Sequence, residues 1–338
     1  ARFLGAGDFN QHIEAQAWSV FQDKLHQLQD FLPQPTQSMP LTQSRRFGPQ
    51  VAHAVKRWLG VDMQAPSTRR STVHHLHYND DAHCIAQLLH AQASITQPGG
   101  STRVPLTVIL RHPHQALALE WAIHRAGKTV QLHGMQAFYL HRDIALLLGL
   151  LYAHSMQAGD WKSARCSLSP AVLRAFIDGA LYFGKGHIDQ HLPDSDLATM
   201  ADQMHANPQG IWRFLLGQTH LQGGKRNFAA FGNFLQLSLA LQSNAQALLE
   251  RADIWGLFAA TRMPAQDLAQ LQARVRAFCQ AIQDLSVPQV LQHIAAMELQ
   301  QAKAAAASYN ADFQLLSIEH AKGQEFDCVA LPFLESGR

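Results

Sequence analysis

The sequence predicts an α/β fold in which a parallel sheet is flanked by helices and carries a mostly α-helical inserted domain. Segments of strand type and of helix type alternate over roughly the first 155 of the 338 residues, a pattern typical of crossover units on a parallel sheet. Strand signals then vanish until about residue 310 and return at 313–319 and 327–332. A helical block is therefore expected to interrupt an α/β domain before its last strands.

The elements of the first part follow from local signals. Gly48-Pro49 is expected to open a helix, because proline suits a first helical turn, and Gly60 is expected to end it. The run 104–110 is continuously apolar, which favours a strand buried on both faces. The other elements expected up to residue 155 are strands at 2–7, 72–78 and 129–133, and helices at 12–31, 80–93, 114–126 (closed by Gly127) and 142–153.

The inserted block is predicted from helical periodicity alone. Its expected helices lie at 170–182, 211–216, 228–241, 265–285 and 290–307. We find no internal repeat in it.

Composition excludes several classes of protein. The formal charge is only +2, so composition alone does not indicate a nucleic-acid partner. No apolar run approaches the roughly 18–20 residues of a membrane helix, and no signal peptide is visible, so no membrane partner is expected. The four cysteines lie far apart, which is typical of reduced thiols and predicts a cytoplasmic protein.

A histidine cluster at His74-His75-Leu76-His77 raises the question of a metal site. On a strand, His75 and His77 would share one face. No cysteine or carboxylate motif accompanies them, so exposed histidines are favoured and no metal site is predicted.

Several segments resemble the motifs of UvrD-like superfamily 1 DNA helicases, and they occur in that family's order. The end of the chain resembles motif V, with Ser317, Ile318, Ala321, Lys322, Gly323, Glu325 and Phe326 in register. Gly7-Asp8-Phe9-Asn10-Gln11-His12-Ile13 looks like motif III, and residues 41–48 are similar to motif IV, with Arg46 in its arginine position. Two further family blocks are matched by Ile109-Leu110-Arg111 with Gln115, Leu119 and Glu120, and by Gly134, Phe138, Arg142 and Ile144.

The resemblance implies RecA-like lobes with ATP and Mg²⁺ between them. Residues 1–18 would end the first lobe, 19–155 and 313–338 would form the second lobe (2A), and 156–312 would form a helical insert like the family's 2B domain. The chain contains neither a G-x-x-x-x-G-K-[ST] phosphate loop nor the family's Asp-Glu metal motif, and it opens without an initiator Met. We therefore expect a C-terminal fragment that lacks the N-terminal lobe, binds no cofactor tightly and is inactive in isolation.

The resemblance also assigns roles to single residues. Arg46 would stabilise the charge on the γ-phosphate and Gln11 would sense that phosphate, as catalytic residues; Glu325, Lys322, Gly323 and Arg111 would contact the nucleotide. Single-stranded or partly duplex DNA would contact Ser317, His320 and Trp18. The insert matches the family by position only; there the basic composition of a Gly-Gly-Lys-Arg turn makes Lys225 and Arg226 further candidates for contact with a nucleic-acid backbone. Each residue also has an ordinary structural interpretation: Arg46 as the partner of a surface carboxylate, Lys322 and Glu325 as a solvated loop, Lys225-Arg226 as a helix-capping turn.

The chain departs from the family at positions that contact DNA. After the motif III glutamine, Glu14, Gln16 and Ala17 stand where the family has tyrosine, tryptophan and arginine, and Glu319 stands where motif V has histidine. A carboxylate repels a phosphodiester, and a lost stacking contact costs about 1–3 kcal/mol per base. These changes keep open a non-catalytic helicase-like module that binds DNA or acts as a scaffold. A third interpretation, a helicase–nuclease fusion, does not depend on these positions and would require sequence beyond Arg338.

Overall fold

The computed structural model describes residues 42–60, 62–68, 70–95, 104–157, 167–185, 192–220, 244–259, 261, 263–306 and 311–334. These residues form an α/β protein that is mainly helical and contains a small, all-parallel sheet. They divide into two compact units. The first takes in the described residues up to Gln87 together with Ile318–Asp327, and the second takes in those of Leu88–Ser317 together with Cys328–Arg338.

The sheet lies in the second unit and has the strand order β2-β3-β1-β4. Its strands are β1 (Leu106–Leu110), β2 (Val130–His133), β3 (Phe313–Ser317) and β4 (Val329–Ala330). All three pairings are parallel, and Leu110 lies opposite Ser317 in the β1–β3 ladder. Both β1 and β3 are almost entirely buried, as expected for apolar strands covered on both faces.

A buried carboxylate sets the register at the amino end of this sheet. Asp312, just before β3, accepts hydrogen bonds on Oδ2 from the backbone N–H and the hydroxyl of Thr129, at 3.0 and 2.9 Å. Its other oxygen accepts from Gln92 Nε2 at 3.3 Å, and its own N–H donates to Thr129 Oγ1 at 2.9 Å. Because a buried carboxylate is costly without such partners, this cluster fixes how β2 and β3 align.

The helices are bounded as follows: α1 Pro49–Leu59, α2 Asp81–Ser94, α3 Ala116–Arg125, α4 Arg142–Gln157, α5 Pro170–Lys185, α6 Asp194–Ala206, α7 Gly210–His220, α8 Ala245–Arg251, α9 Ile254–Ala259, α10 Ala265–Ala281, α11 Val287–Ala306 and α12 Ile318–Ala321. Short 3₁₀ turns occur at Pro113–Gln115 and Phe138–Leu140. In the part of the chain that the structure describes, no helix combines the length and the apolar character needed to cross a membrane.

Helix α4 is the centre of the core of the second unit. Its side chains from Ile144 to Ala153 are buried all round, as expected for a helix without a polar face. Gly149 allows α5 to approach closely, because a Cβ atom there would overlap the ring of Phe176. The core of this unit is therefore close-packed, and added volume at this contact would be destabilising.

Most expected elements in the described residues are present, with boundaries that move by a few residues. Helix α1 begins with Pro49 at its first turn and ends at Gly60, whose φ of 68° is left-handed. The prediction of a strand at 72–78 is wrong: the structure assigns no strand there. The strand expected at 313–319 ends at Ser317, because Ile318 begins a helical turn.

Some predicted elements cannot be compared with the structure, and some observed helices were not predicted. The elements expected at 2–7, 12–31 and 228–241 lie outside the described residues. Helices α6, α8 and α9 were not expected from the sequence. The domain boundaries at 18, 155 and 312 stay predictions.

Candidate functional site

The loop that resembles motif IV is held in place by backbone hydrogen bonds. Gln43 and Gln64 form an isolated parallel bridge, in which Ser44 N donates to Gln64 O at 2.8 Å and Gln64 N donates to Thr42 O at 2.7 Å. The N–H of Arg46 donates to Ser44 Oγ at 3.3 Å. These contacts position Arg46 just before the start of α1, and its side chain is exposed to solvent.

The turn that resembles motif V is compact. After α12, Lys322 N donates to Ile318 O at 3.2 Å, and Gln324 N donates to Ala321 O at 3.1 Å. Gly323 has a φ of 80°, a conformation that suits glycine and strains other residues. The side-chain amide of Gln324 donates to His320 O at 2.6 Å and closes the turn. The turn therefore fixes the backbone position of Glu325, which follows it directly.

The two segments meet through an ion pair within the first unit. Arg46 Nε lies 3.1 Å from Glu325 Oε1, and the two side chains are 62% and 60% exposed. Exposed pairs of this kind contribute only about 0–1 kcal/mol, so either side chain can be recruited by a ligand at little cost. The helicase resemblance predicts that these two segments lie close together. The alternative interpretation of Arg46, as the partner of a surface carboxylate, predicts the same ion pair.

The remaining described candidates have different environments. His320, Lys322 and Gly323 are exposed on the same turn in the first unit. Arg111, in the second unit, is exposed directly after the carboxyl end of β1, the edge of a parallel sheet that ligands favour. Ser317, the last residue of β3, is only 5% exposed, and its DNA contact stays a prediction.

Four candidates cannot be placed. Gln11, Trp18, Lys225 and Arg226 lie outside the described residues. Among the residues that are described, no three His, Cys, Asp or Glu side chains come together as a metal site. The Mg²⁺ that the resemblance implies stays a prediction.

Gly127-Lys128-Thr129 has the last three residues of a phosphate-loop pattern, but its setting is different. A phosphate loop follows a strand and opens a helix. Here the tripeptide follows helix α3 and leads into strand β2, and the N–H of Gly127 donates to His124 O at 2.9 Å. Thr129 is engaged by Asp312. This segment is therefore a helix end rather than a phosphate-binding loop.

A cleft of about 860 Å³ in the second unit was not expected from the sequence. Its walls include three ion pairs: Arg142–Asp178, Arg174–Asp194 at 2.7 Å and Arg274–Asp143 at 2.8 Å. Because each of these arginines already has a carboxylate partner, the cleft offers no surplus positive charge for an anion. The pairing joins residues up to 131 positions apart, which no local sequence signal reveals.

Glu120 of α3 is the most unusual titratable group among the described residues. It is fully buried, and among the described residues no hydrogen-bond partner of ordinary geometry reaches either carboxylate oxygen. Burial raises the pKa of Glu120 well above its ordinary value, and the nearby backbone N–H of Phe138 opposes that shift only in part. The sequence placed Glu120 in a family block but gave no sign of this environment.

Comparison with known proteins adds no relative: no protein-family model matches the chain, and no curated protein sequence matches it.

Proposed function

We propose that the chain is the C-terminal part of an ATP-dependent DNA helicase of the UvrD-like kind, which moves along single-stranded DNA and unwinds duplex. In this proposal the described sheet belongs to the second RecA-like lobe, the helices after residue 155 belong to the insert, and ATP with Mg²⁺ binds against a separate N-terminal lobe. The protein would act in the cytoplasm. The observation that carries the proposal is the meeting of Arg46 with the 318–325 turn, since both segments resemble nucleotide-site motifs of the family.

The chemistry of ATP hydrolysis explains why an exposed arginine would serve here. Negative charge develops on the γ-phosphate oxygens in the transition state, and a guanidinium directed at them stabilises it. Arginine fingers contribute on the order of 10³–10⁵ in rate. Arg46 would move from Glu325 to the γ-phosphate, and the freed Glu325 would accept a hydrogen bond from the ribose.

The same turn would link the nucleotide to the DNA strand. Lys322 and Gly323 would let backbone and ammonium groups approach phosphate, and His320 would lie on the DNA side of the turn. Gln11 would report the γ-phosphate to the other lobe. ATP binding would close the two lobes and hydrolysis would reopen them, so that alternate gripping advances the strand.

The decisive experiment measures DNA-stimulated ATP turnover by the gene product that contains this chain. Arg46→Ala is expected to lower turnover by roughly 10³-fold or more. Arg45→Ala is the matched control, because Arg45 is the exposed neighbouring arginine and has no assigned role. Glu325→Ala removes a carboxylate partner of Arg46 and the proposed ribose contact, but it leaves the guanidinium in place. Unchanged turnover in Arg46→Ala would show that Arg46 is only the partner of a surface carboxylate.

A second candidate is a non-catalytic helicase-like module that binds DNA or acts as a scaffold. It is favoured by Glu319, an exposed carboxylate on the turn where the family places a histidine. This module would bind single-stranded DNA with the same affinity in the presence and absence of ATP. It would show no turnover even in the complete gene product.

A further inference from the structure

A groove in the first unit lies between helix α1 and the extended segment 71–78. Its volume is about 590 Å³, within the roughly 300–1,000 Å³ typical of ligand sites. One wall carries His53, Arg57 and Trp58, and the other carries His75 and His77. The walls are tied together by a hydrogen bond of 3.2 Å from Val73 N to the side-chain oxygen of Gln50.

Among the described residues, the ionisable side chains that line the groove are Arg57 and three histidines, and no carboxylate is one of them. Asp62, which follows α1, is bound by Lys56 at 2.6 Å, and neither of these two residues lines the groove. The groove therefore presents N–H donors and a guanidinium charge without a competing acid.

Trp58 supplies a flat apolar surface next to these donors. It is 57% exposed, which is unusual for a side chain of this size. Its ring makes an edge contact with that of His75, with centroids 5.8 Å apart. A ligand that suits this groove has both a planar ring to stack on Trp58 and an anionic group to meet Arg57 and the imidazoles.

We propose that this groove binds single-stranded DNA, with a base stacked on Trp58 and the adjoining phosphates bound by Arg57 and the histidines. Every base has a stacking face, and Trp58 with Arg57 provides the aromatic and basic pairing that such binding uses. The choice of DNA as the anionic polymer rests on the proposed function. The groove would be a second DNA-binding site, in addition to the 318–325 turn.

Fluorescence anisotropy of a labelled oligodeoxythymidine with the 338-residue chain tests the site. Trp58→Ala is expected to weaken binding roughly 5- to 150-fold, the range that loss of one stacked base implies. Leu59→Ala is the matched control, because Leu59 is the next residue, is 58% exposed and does not line the groove. Trp58→Phe, which keeps an aromatic face, should restore much of the affinity.

A second pair of variants tests the phosphate contact. Arg57→Gln should lower the slope of log affinity against log salt by about 0.7, the value for one phosphate contact on a single strand. Lys56→Gln removes the same charge from the adjacent, non-lining residue and should leave that slope nearly unchanged. Equal effects of the two variants would show that only the general charge of α1 matters and would overturn the proposal.

Photocrosslinking with 5-iododeoxyuridine oligonucleotides then locates the strand. Crosslinks of the unsubstituted chain on peptides that contain Trp58 or His75 support the site. This result does not depend on whether a substituted chain folds. Normal affinity in Trp58→Ala with crosslinks elsewhere overturns it, and the groove would then be a surface for a protein partner. The proposed function and the groove can fail separately. DNA binding in the groove without ATP turnover would refute the helicase but support the groove. DNA-stimulated ATP turnover without DNA binding in the groove would support the helicase but refute the groove.

Discussion

Replacing Glu120 with glutamine should change how the stability of the second unit depends on pH. In the folded protein this carboxyl is fully buried, with no hydrogen bond of ordinary geometry from the residues that the structure describes, and burial raises its pKa well above the ordinary value of 4.5. In the unfolded chain the same group ionises near 4.5. Above that pH the folded state therefore binds more protons than the unfolded state, and the free energy of unfolding falls as pH rises.

The size of this effect follows from the proton balance. As long as the folded group stays protonated and the unfolded group is ionised, the free energy of unfolding decreases by about 1.4 kcal/mol per pH unit. The contribution is fully present below pH 4.5 and is lost progressively as pH rises toward the folded pKa. Glutamine has nearly the same shape but does not titrate, so E120Q should lack this slope.

Urea unfolding between pH 5 and pH 8, followed by circular dichroism, measures the slope directly. The unsubstituted chain should lose stability across this range, and E120Q should lose distinctly less. Glu250→Gln is the matched control, because it makes the same substitution at an exposed carboxyl group. If E120Q and the unsubstituted chain had the same pH dependence, the assignment of a protonated, buried Glu120 would be refuted.

Two further predictions concern the turn and the cleft. Gly323→Ala should destabilise the turn by about 1–2 kcal/mol, because alanine is strained at the left-handed φ of 80°, whereas Gly323→Asn should be better tolerated; hydrogen exchange of the turn amides measures both. Asp143→Ala should destabilise the second unit by about 3–5 kcal/mol, because it leaves the guanidinium of Arg274 largely buried without its carboxylate. Asp194→Ala, in the exposed pair with Arg174, should cost only about 0–1 kcal/mol in the same urea assay, and equal losses would contradict this account.

The sequence predicted the elements whose causes are local. Helix α1 begins at Pro49 and ends at Gly60 because both signals act within one turn of the chain. Strand β1 was recognisable because a buried parallel strand is apolar at nearly every position. Short-range physics therefore accounts for the placement of these elements along the chain.

Features that depend on distant partners were not predictable in this way. The strand order β2-β3-β1-β4 depends on pairings between distant segments, and the register at Asp312 depends on its contacts with Thr129, 183 positions away. The segment 72–78 was expected to be a strand, but a strand requires a neighbour with which to form a ladder, and the sequence of the segment does not carry that information. Likewise, Trp58, Arg57 and His75 become informative as a set only once the groove is formed.

The candidate nucleotide site has the physical properties that a switching arginine needs. A guanidinium buried against its carboxylate would be held there by the cost of leaving a charge unpaired, several kcal/mol. The pair between Arg46 and Glu325 is instead mostly in solvent, where breaking it costs about 1 kcal/mol or less. A phosphate offers stronger, charge-assisted hydrogen bonds than an exposed carboxylate, so a nucleotide close enough would take Arg46 from Glu325. In the proposed function, the weakness of this contact would allow Arg46 to alternate between Glu325 and a reacting phosphate.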